Sequence, residues 1–195
     1  MPAALLSRDD LIARLGDVFR EHGFEGASLS AITAATGLGK GSLYNHFPGG
    51  KDEMATAVLA HVDAWFEREV YAPLRDTGRD ADDPREAIAA MFAAVDAYFR
   101  GGGRICLVGA FALDATRDRF AAAVQDYFAR WIAALAACLK RGGAKHTKAQ
   151  AENVVAGIQG ALVLARALND PAVFTRQLRQ LQAQAEAAIS DRGLA

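Results

Sequence analysis

Lys40, Gly41, Ser42, Tyr44, Asn45, His46 and Lys51 bring many hydrogen-bond donors into a short stretch of chain, with Ser28 a little upstream. Between positions 26 and 51 there are two lysines and no acidic residue, and His46 adds a group able to become positive. Such a set suits contact with a polyanion. Hydroxyl, amide and ammonium groups donate to phosphate oxygens, and the local charge draws a duplex to this face whatever the average surface carries. The same residues do not suit catalysis. His46 has only His22, His61 and His146 as companions, and neither HExxH nor ExxH spacing occurs in the chain, so no metal or acid–base set is expected. Gly101, Gly102 and Gly103 follow no predicted strand and fit neither GxGxxG nor phosphate-loop spacing, so they are not read as a phosphate cradle.

Two short helices joined by a tight turn would hold these donors in place. Ser28 or Ser30 can cap the first, whose apolar face is Leu29, Ile32 and Ala35. Gly37 stops it, because glycine accepts the left-handed conformation past a helix end. Leu38 plugs the corner. The second helix, about 40–47, buries Leu43 and Phe47, and Pro48-Gly49-Gly50 ends it. An earlier helix, capped by Ser7 or Asp9 after a loose arm over 1–7, carries Leu11, Ile12, Leu15, Val18 and Phe19. Gly23 ends that helix, and Phe24 folds back into a small core. The second helix of the hairpin is sized for the major groove of B-DNA.

The stretch SLSAITAATGLGKGSLYNHFPGGK closely resembles the DNA-binding signature of the TetR family of bacterial repressors. The resemblance covers about 11–51, with Gly37, Lys40, Gly41, Leu43, Tyr44, His46, Phe47 and Lys51 in family register. At Asn45 the chain departs from the family, which often has an aromatic residue or histidine there. The resemblance implies that Lys40 and Asn45 reach base edges, Lys40 toward guanine acceptors and Asn45 toward adenine. It implies that Ser28, Ser42, Tyr44, His46 and Lys51 contact phosphates, which hold register without reading sequence. Lys51 opens the fourth helix, whose positive end also favours phosphate. A weaker similarity links GGGRICLVGAFALDA and GIQGALVLARALND to the LmrA/YxaF-like branch of the family.

The whole chain of 195 residues is 52% hydrophobic, rich in alanine and leucine, and has a net charge of −1. This composition favours helix. The expected fold is all-α with about nine helices. Residues 1–50 form a three-helix helix-turn-helix DNA-binding domain, and 51–195 a helical-bundle domain for ligand binding and dimerisation. The fourth helix is expected to run from about 51 to 75, with a kink or early end at Pro73. A polar loop follows over 77–83. Asp83-Pro84 starts a fifth helix with Ile88, Met91, Phe92, Val95 and Phe99 inward. A sixth carries Ile105, Leu107, Val108, Phe111 and Leu113. A seventh, about 116–140, turns Phe120, Val124, Tyr127, Phe128, Trp131, Leu135 and Cys138 inward. An eighth spans about 147–168 and a ninth follows Pro171.

Trp65, Phe66, Phe92, Tyr98, Phe111, Tyr127, Phe128 and Trp131 read individually as core. In the resembling family a small-molecule cavity sits among helices 4 to 7, so together they are candidates for a largely apolar effector pocket, with Gln159 and Arg166 as polar anchors. Cys106 in that region is either a small buried residue or a thiol that senses electrophiles. The two cysteines, far apart and without metal spacing, fit a reducing cytoplasm, and no cofactor is expected. No signal peptide is expected, since residues 1–10 lack a basic start and a long apolar run, and a membrane span is not expected either. Val155, Gly157, Ile158, Ala161, Leu162, Phe174, Leu178 and Leu181 are candidates for a two-fold homodimer interface, which would match a palindromic operator. The expectation is therefore a dimeric repressor on double-stranded DNA, released by a small molecule. In the resembling family ligand shifts a helix hinged near Lys51 and another that touches helix 1. The rivals are a helical ligand-binding or interaction module without DNA binding, and a helical-bundle enzyme. The enzyme would need a converging acid–base or metal set that the sequence lacks.

Overall fold

The computed structural model of the chain describes residues 7–76, 83–113 and 115–189. Apart from Ser7 and Asp83, the expected arm and the 77–83 loop lie outside them, as does Asp114. Among the described residues there is no strand. The α-helices are α1 (Arg8–Gly26), α2 (Leu29–Thr36), α3 (Lys40–His46), α4 (Gly50–Phe66), α5 (Ala72–Arg75), α6 (Pro84–Tyr98), α7 (Leu107–Ala112), α8 (Thr116–Arg119), α9 (Ala121–Arg141), α10 (Thr147–Ala167) and α11 (Ala172–Ala187). They form two compact units. One runs as far as Ala64 and takes in Leu107–Val124; the other holds Trp65–Cys106 and the chain from Gln125 onward. By this packing nearly all of α4 groups with the helix-turn-helix.

In the first unit side-chain caps start α1 and α2. Ser7 Oγ accepts from the Asp10 amide at 3.1 Å and donates to the Asp10 carboxylate, with Asp9 and Asp10 in the positive first turn of α1. The helix breaks at Gly23, and Phe24 turns inward to full burial. Phe24 packs on Phe19 at 6.0 Å and on Phe120 at 5.4 Å between ring centroids, and Phe111 closes the group against Phe120 at 5.6 Å. This aromatic box seats α7 and α8 on α1. Phe120 itself separates α8 from α9, so the expected seventh helix is two pieces. Leu113, expected inward, lies beyond the end of α7 and is 82% exposed.

The second unit shows how the chain accommodates Pro73. Between α4 and α5 the helix widens into a π turn over Glu67–Tyr71, where the Ala72 amide reaches back to the Glu67 carbonyl. The wider turn relieves the crowding a proline ring imposes on the preceding turn, so the helix continues to Arg75. Arg75 and Arg130 both pair with Glu67 across this turn. Asp83 Oδ1 accepts from the Arg85 amide at 3.1 Å and Pro84 fills the first turn of α6. At the far end of α6 the chain reverses through Gly101 and Gly102. A Cβ on Gly102 (φ 95°) would stand 2.6 Å from Phe174 Cβ and 3.1 Å from the Pro171 carbonyl, so only glycine fits.

The residues expected at a dimer surface pack between α10 and α11 of the single chain. Val155, Ile158, Ala161, Leu162, Phe174, Leu178 and Leu181 are all buried within the single chain. Gly157 faces α11, since an added Cβ would meet the Leu181 methyls at 2.9 Å. Helical period alone could not tell whether this face met a neighbouring helix or a second copy.

Candidate nucleic-acid interface

The helix that precedes α3 is fixed at both ends. Ser28 Oγ accepts from the Ala31 amide at 3.1 Å and caps α2. Gly37, at φ 72°, closes α2 in the left-handed conformation. Within α2 the expected apolar face is narrower: Ile32 is buried, Leu29 half-buried and Ala35 exposed. Thr36 is the second buried residue, and its hydroxyl donates to the Ile32 carbonyl at 2.7 Å. Arg14 Nη1 donates to the Ala35 carbonyl at 3.3 Å, tying α1 to the end of α2. Leu38 is half-buried at the corner.

Leu43 and Phe47, wholly buried, fasten α3 inward. The remaining residues of the helix face outward, and Lys40, Gly41, Ser42, Tyr44, Asn45 and His46 are all exposed. Lys40, Ser42, Tyr44 and Asn45 make no side-chain hydrogen bond or ion pair among the described residues. Tyr44 leans over the bend into α4, where a Cβ on Gly50 would lie 3.6 Å from its ring. Four neutral or cationic donors therefore point outward, without internal partners, from one short helix. Such a face can donate to phosphates and base edges at no cost in broken internal bonds.

Ser28 and Lys51 are placed differently. The Ser28 hydroxyl is exposed but already caps α2 and bonds Ser30 Oγ at 2.9 Å. Lys51 Nζ donates to the Glu25 carbonyl at 3.3 Å, stands 3.9 Å from the Glu25 carboxylate, and lies 4.5 Å above the Phe24 ring. Its charge is thus shared with an acid just outside the acid-free stretch. No spacing signals this contact, which joins residues 26 apart in the chain. Two further acids border the face. Glu53 Oε2 accepts from the Gly49 amide at 2.7 Å, and Asp52 pairs with Arg119 Nη1 at 2.8 Å. The Glu53 contact has a legible spacing of four residues; the Arg119 contact spans 67 and has none.

The candidate effector residues do not all gather. Phe111 belongs to the first unit, against Phe19, Phe24 and Phe120. In the second unit Phe66 is the hub, with ring centroids 4.9 Å from Tyr98, 4.8 Å from Tyr127 and 5.3 Å from Trp131. Trp65 packs on Tyr98 at 4.6 Å and half-buried Phe128 on Tyr127 at 5.0 Å. Phe92 is buried. Burial pushes the Tyr127 hydroxyl well above the usual tyrosine range, with Cys106, Tyr71 and Tyr98 nearby adding to the effect. Cys106 is a buried thiol beside it. Trp131 Nε1 and Gln159 Nε2 are buried without a hydrogen-bond partner, whereas Arg166 is exposed. A separate open cavity of about 230 Å³ is lined by Gln150, Asn153, Val154, Gln184, Ala185 and Ala188. Among the described residues no group of His, Cys, Asp and Glu is arranged to hold a metal ion, and no helix is long and apolar enough to cross a membrane.

Known proteins are similar to this chain in sequence and fold. Residues 11–58 match the family model for bacterial regulatory proteins of the tetR family, and residues 76–180 match that for the LmrA/YxaF-like transcriptional regulator C-terminal domain. The regulator LmrA of Bacillus subtilis is 25% identical over 164 residues, 81% of this chain and 85% of that protein. The transcriptional repressor DhaR of a Mycobacterium species is 28% identical over 137 residues, 69% of this chain and 66% of that protein. Among solved structures, a TetR-family regulator from Agrobacterium tumefaciens superposes with a TM-score of 0.76 at 22% identity, covering 90% of this chain and 95% of that one. A cysteine-substituted form of the TetR-family regulator CifR, solved with double-stranded operator DNA, superposes with a TM-score of 0.66 at 25% identity, over 98% and 100% of the two chains. With a helix-turn-helix whose α3 turns an acid-free donor face outward and with family matches over both parts of its length, the chain belongs to the TetR family of bacterial regulatory proteins, as a DNA-binding transcriptional regulator with an LmrA/YxaF-like C-terminal domain rather than an enzyme.

Proposed function

We propose that this chain is a homodimeric repressor that binds a palindromic operator in the bacterial cytoplasm and is released by a small, largely apolar molecule. Residues 1–50 supply the reading head, and 51–195 supply ligand binding and dimerisation. The observation that carries the reading is the outward face of α3, where Lys40, Ser42, Tyr44 and Asn45 stand exposed without internal partners. Lys40 and Asn45 are assigned to base edges; Ser28, Ser42, Tyr44, His46 and Lys51 are assigned to phosphates. Lys51 must exchange Glu25 for a phosphate oxygen to act. The repressor named DhaR and the operator complex of CifR support repression through operator binding.

The effector is assigned to the aromatic cluster around Phe66, Trp65, Phe92, Tyr98, Cys106, Tyr127, Phe128 and Trp131, with the unpartnered Trp131 and Gln159 nitrogens as polar anchors. The contact of α7 with α1 gives the switch a path into the reading head. A ligand shifts the balance only by binding the DNA-incompetent state more tightly. The dimer face moves from the residues buried between α10 and α11 to the exposed side of α10. The deciding experiment is a gel shift with the DNA upstream of the chain's own coding sequence, followed by its reversal with candidate apolar molecules. Absence of retardation at low salt would refute operator binding; retardation that no such molecule reverses would refute the release step.

A further inference from the structure

The start of α4 faces two demands that conflict. Its exposed amides and positive end favour acids in the first turn, and Asp52 and Glu53 occupy it. The same turn carries Lys51, next to the recognition helix, where a carboxylate repels phosphate. Glu53 is turned onto the Gly49 amide. Asp52 is met instead by Arg119, whose Nη1 lies 2.8 Å from Asp52 Oδ1 and whose guanidinium carbon lies 5.0 Å from the Phe24 ring centroid. The two side chains are about half exposed, at 49% and 58%, so the pair adds little to folding.

We propose that Arg119 is a positioning residue for DNA binding: it neutralises Asp52 and, with the Phe24 ring that also underlies Lys51, lowers the negative charge that the start of α4 turns toward the duplex. Phe24 is the shared platform, with Lys51 Nζ 4.5 Å from its centroid. Arg119 sits on the Leu107–Val124 segment, which packs with the reading head although the chain on either side of it belongs to the second unit. The proposal rests on the DNA-binding reading and adds a residue outside the helix-turn-helix to it.

The test is a charge cycle on the full chain, with anisotropy of a labelled duplex of generic sequence at low salt and thermal unfolding measured in parallel. Arg119→Gln is expected to weaken binding roughly fivefold, by leaving a bare carboxylate among the phosphate contacts. Arg119→Lys should bind within about twofold of the parent. Asp52→Asn should bind more tightly than the parent, because it frees Arg119. The double variant Arg119→Gln/Asp52→Asn should recover to within about twofold of the parent. A purely structural ion pair predicts the opposite for Asp52→Asn, namely weaker binding, and no recovery in the double variant. Either result, or Arg119→Gln binding like the parent, overturns the proposal. If Arg119→Gln fails to fold, the sign of the Asp52→Asn change alone decides. Failure of the parent itself to bind the duplex would bring down the DNA-binding reading as well, and is visible before any variant is compared.

Discussion

Tyr44 and Asn45 are neighbours on α3, both exposed and both without internal partners, yet their chemistry assigns them different work. A phenol hydroxyl donating to phosphate holds the helix in register whatever the sequence beneath it, while a carboxamide can pair with two atoms of one adenine. Tyr44→Ala is therefore expected to weaken binding to every operator variant by a similar factor. Asn45→Ala should relax preference at one base pair by about 1–3 kcal/mol and leave other positions unchanged. Binding isotherms across a single-substitution operator set distinguish the two, and parallel profiles would sink the division of roles. These outward residues were legible because their surroundings are local: a cap at Ser28, a stop at Gly37 and two inward anchors fix which side of a seven-residue helix is free. Lys51 was only half legible, since its partner Glu25 reaches it through tertiary packing. Tyr127 makes a residue-scale prediction of another kind. Its hydroxyl titrates well above the usual tyrosine range because burial disfavours the phenolate. A raised folded-state value means the associated stability is fully present below the unfolded pKa and is lost as pH climbs beyond it. Thermal stability should therefore fall once pH exceeds about 10, the unfolded tyrosine value. Cys138, also raised by burial, should begin the decline from about pH 8.5. Tyr127→Phe should flatten the steeper upper part of that profile while keeping the bond from Tyr71 Oη, which is made to the Tyr127 backbone carbonyl at 3.0 Å.

Helix starts and stops follow from nearest neighbours in sequence, and they were the readable part of the fold. Ser7, Ser28 and Asp83 each cap as their side chains suggest, and Gly23 breaks α1 where a stop was expected. Elements were misjudged where a distant partner decides. Phe111 has the same local pattern as a residue of the effector cluster, but it closes the box of Phe19, Phe24 and Phe120 in the reading head. Phe120 interrupts a continuous helical pattern because its ring is needed in that box. The π turn before Pro73 lets one helix run on where periodicity and proline gave opposite advice. The box makes a direct prediction. Phe24 is fully buried and touches three other rings, so Phe24→Ala should cost about 3–5 kcal/mol through lost contacts and the cavity left behind. It should also remove the platform beneath Lys51 and Arg119. Denaturant unfolding measures the first effect. A loss below about 1 kcal/mol would mean that the box does not hold the unit together.

At the scale of the molecule, the proposed homodimer turns on which surface would meet a second copy. The side of α10 that packs on α11 is consumed inside the chain, and Leu178 and Leu181 are buried there. The opposite side carries Ala156, Gly160, Val163, Leu164, Ala167 and Leu168, all exposed and all apolar or small. Val163, Leu164 and Leu168 are 59%, 49% and 63% exposed, and nothing stands within 4 Å of a Cβ placed on Gly160. An apolar stripe of this kind on a monomer calls for a cover. A two-fold axis supplies one economically, because one stripe can be laid against its own copy. The glycine gives room for close backbone approach. Substitutions on the two faces should therefore part company. Leu181→Glu places a charge in the single-chain core and should unfold the second unit. Val163→Glu, on the open stripe, should leave monomer stability within about 0.5 kcal/mol of the parent. It should nevertheless convert the proposed dimer to a monomer in light scattering. Operator affinity should then fall by about a hundredfold or more, because two half-sites no longer bind as one tethered unit. A Val163→Glu protein that remains dimeric would place the interface elsewhere, and one that is monomeric yet binds the operator undiminished would refute the two-headed reading of DNA.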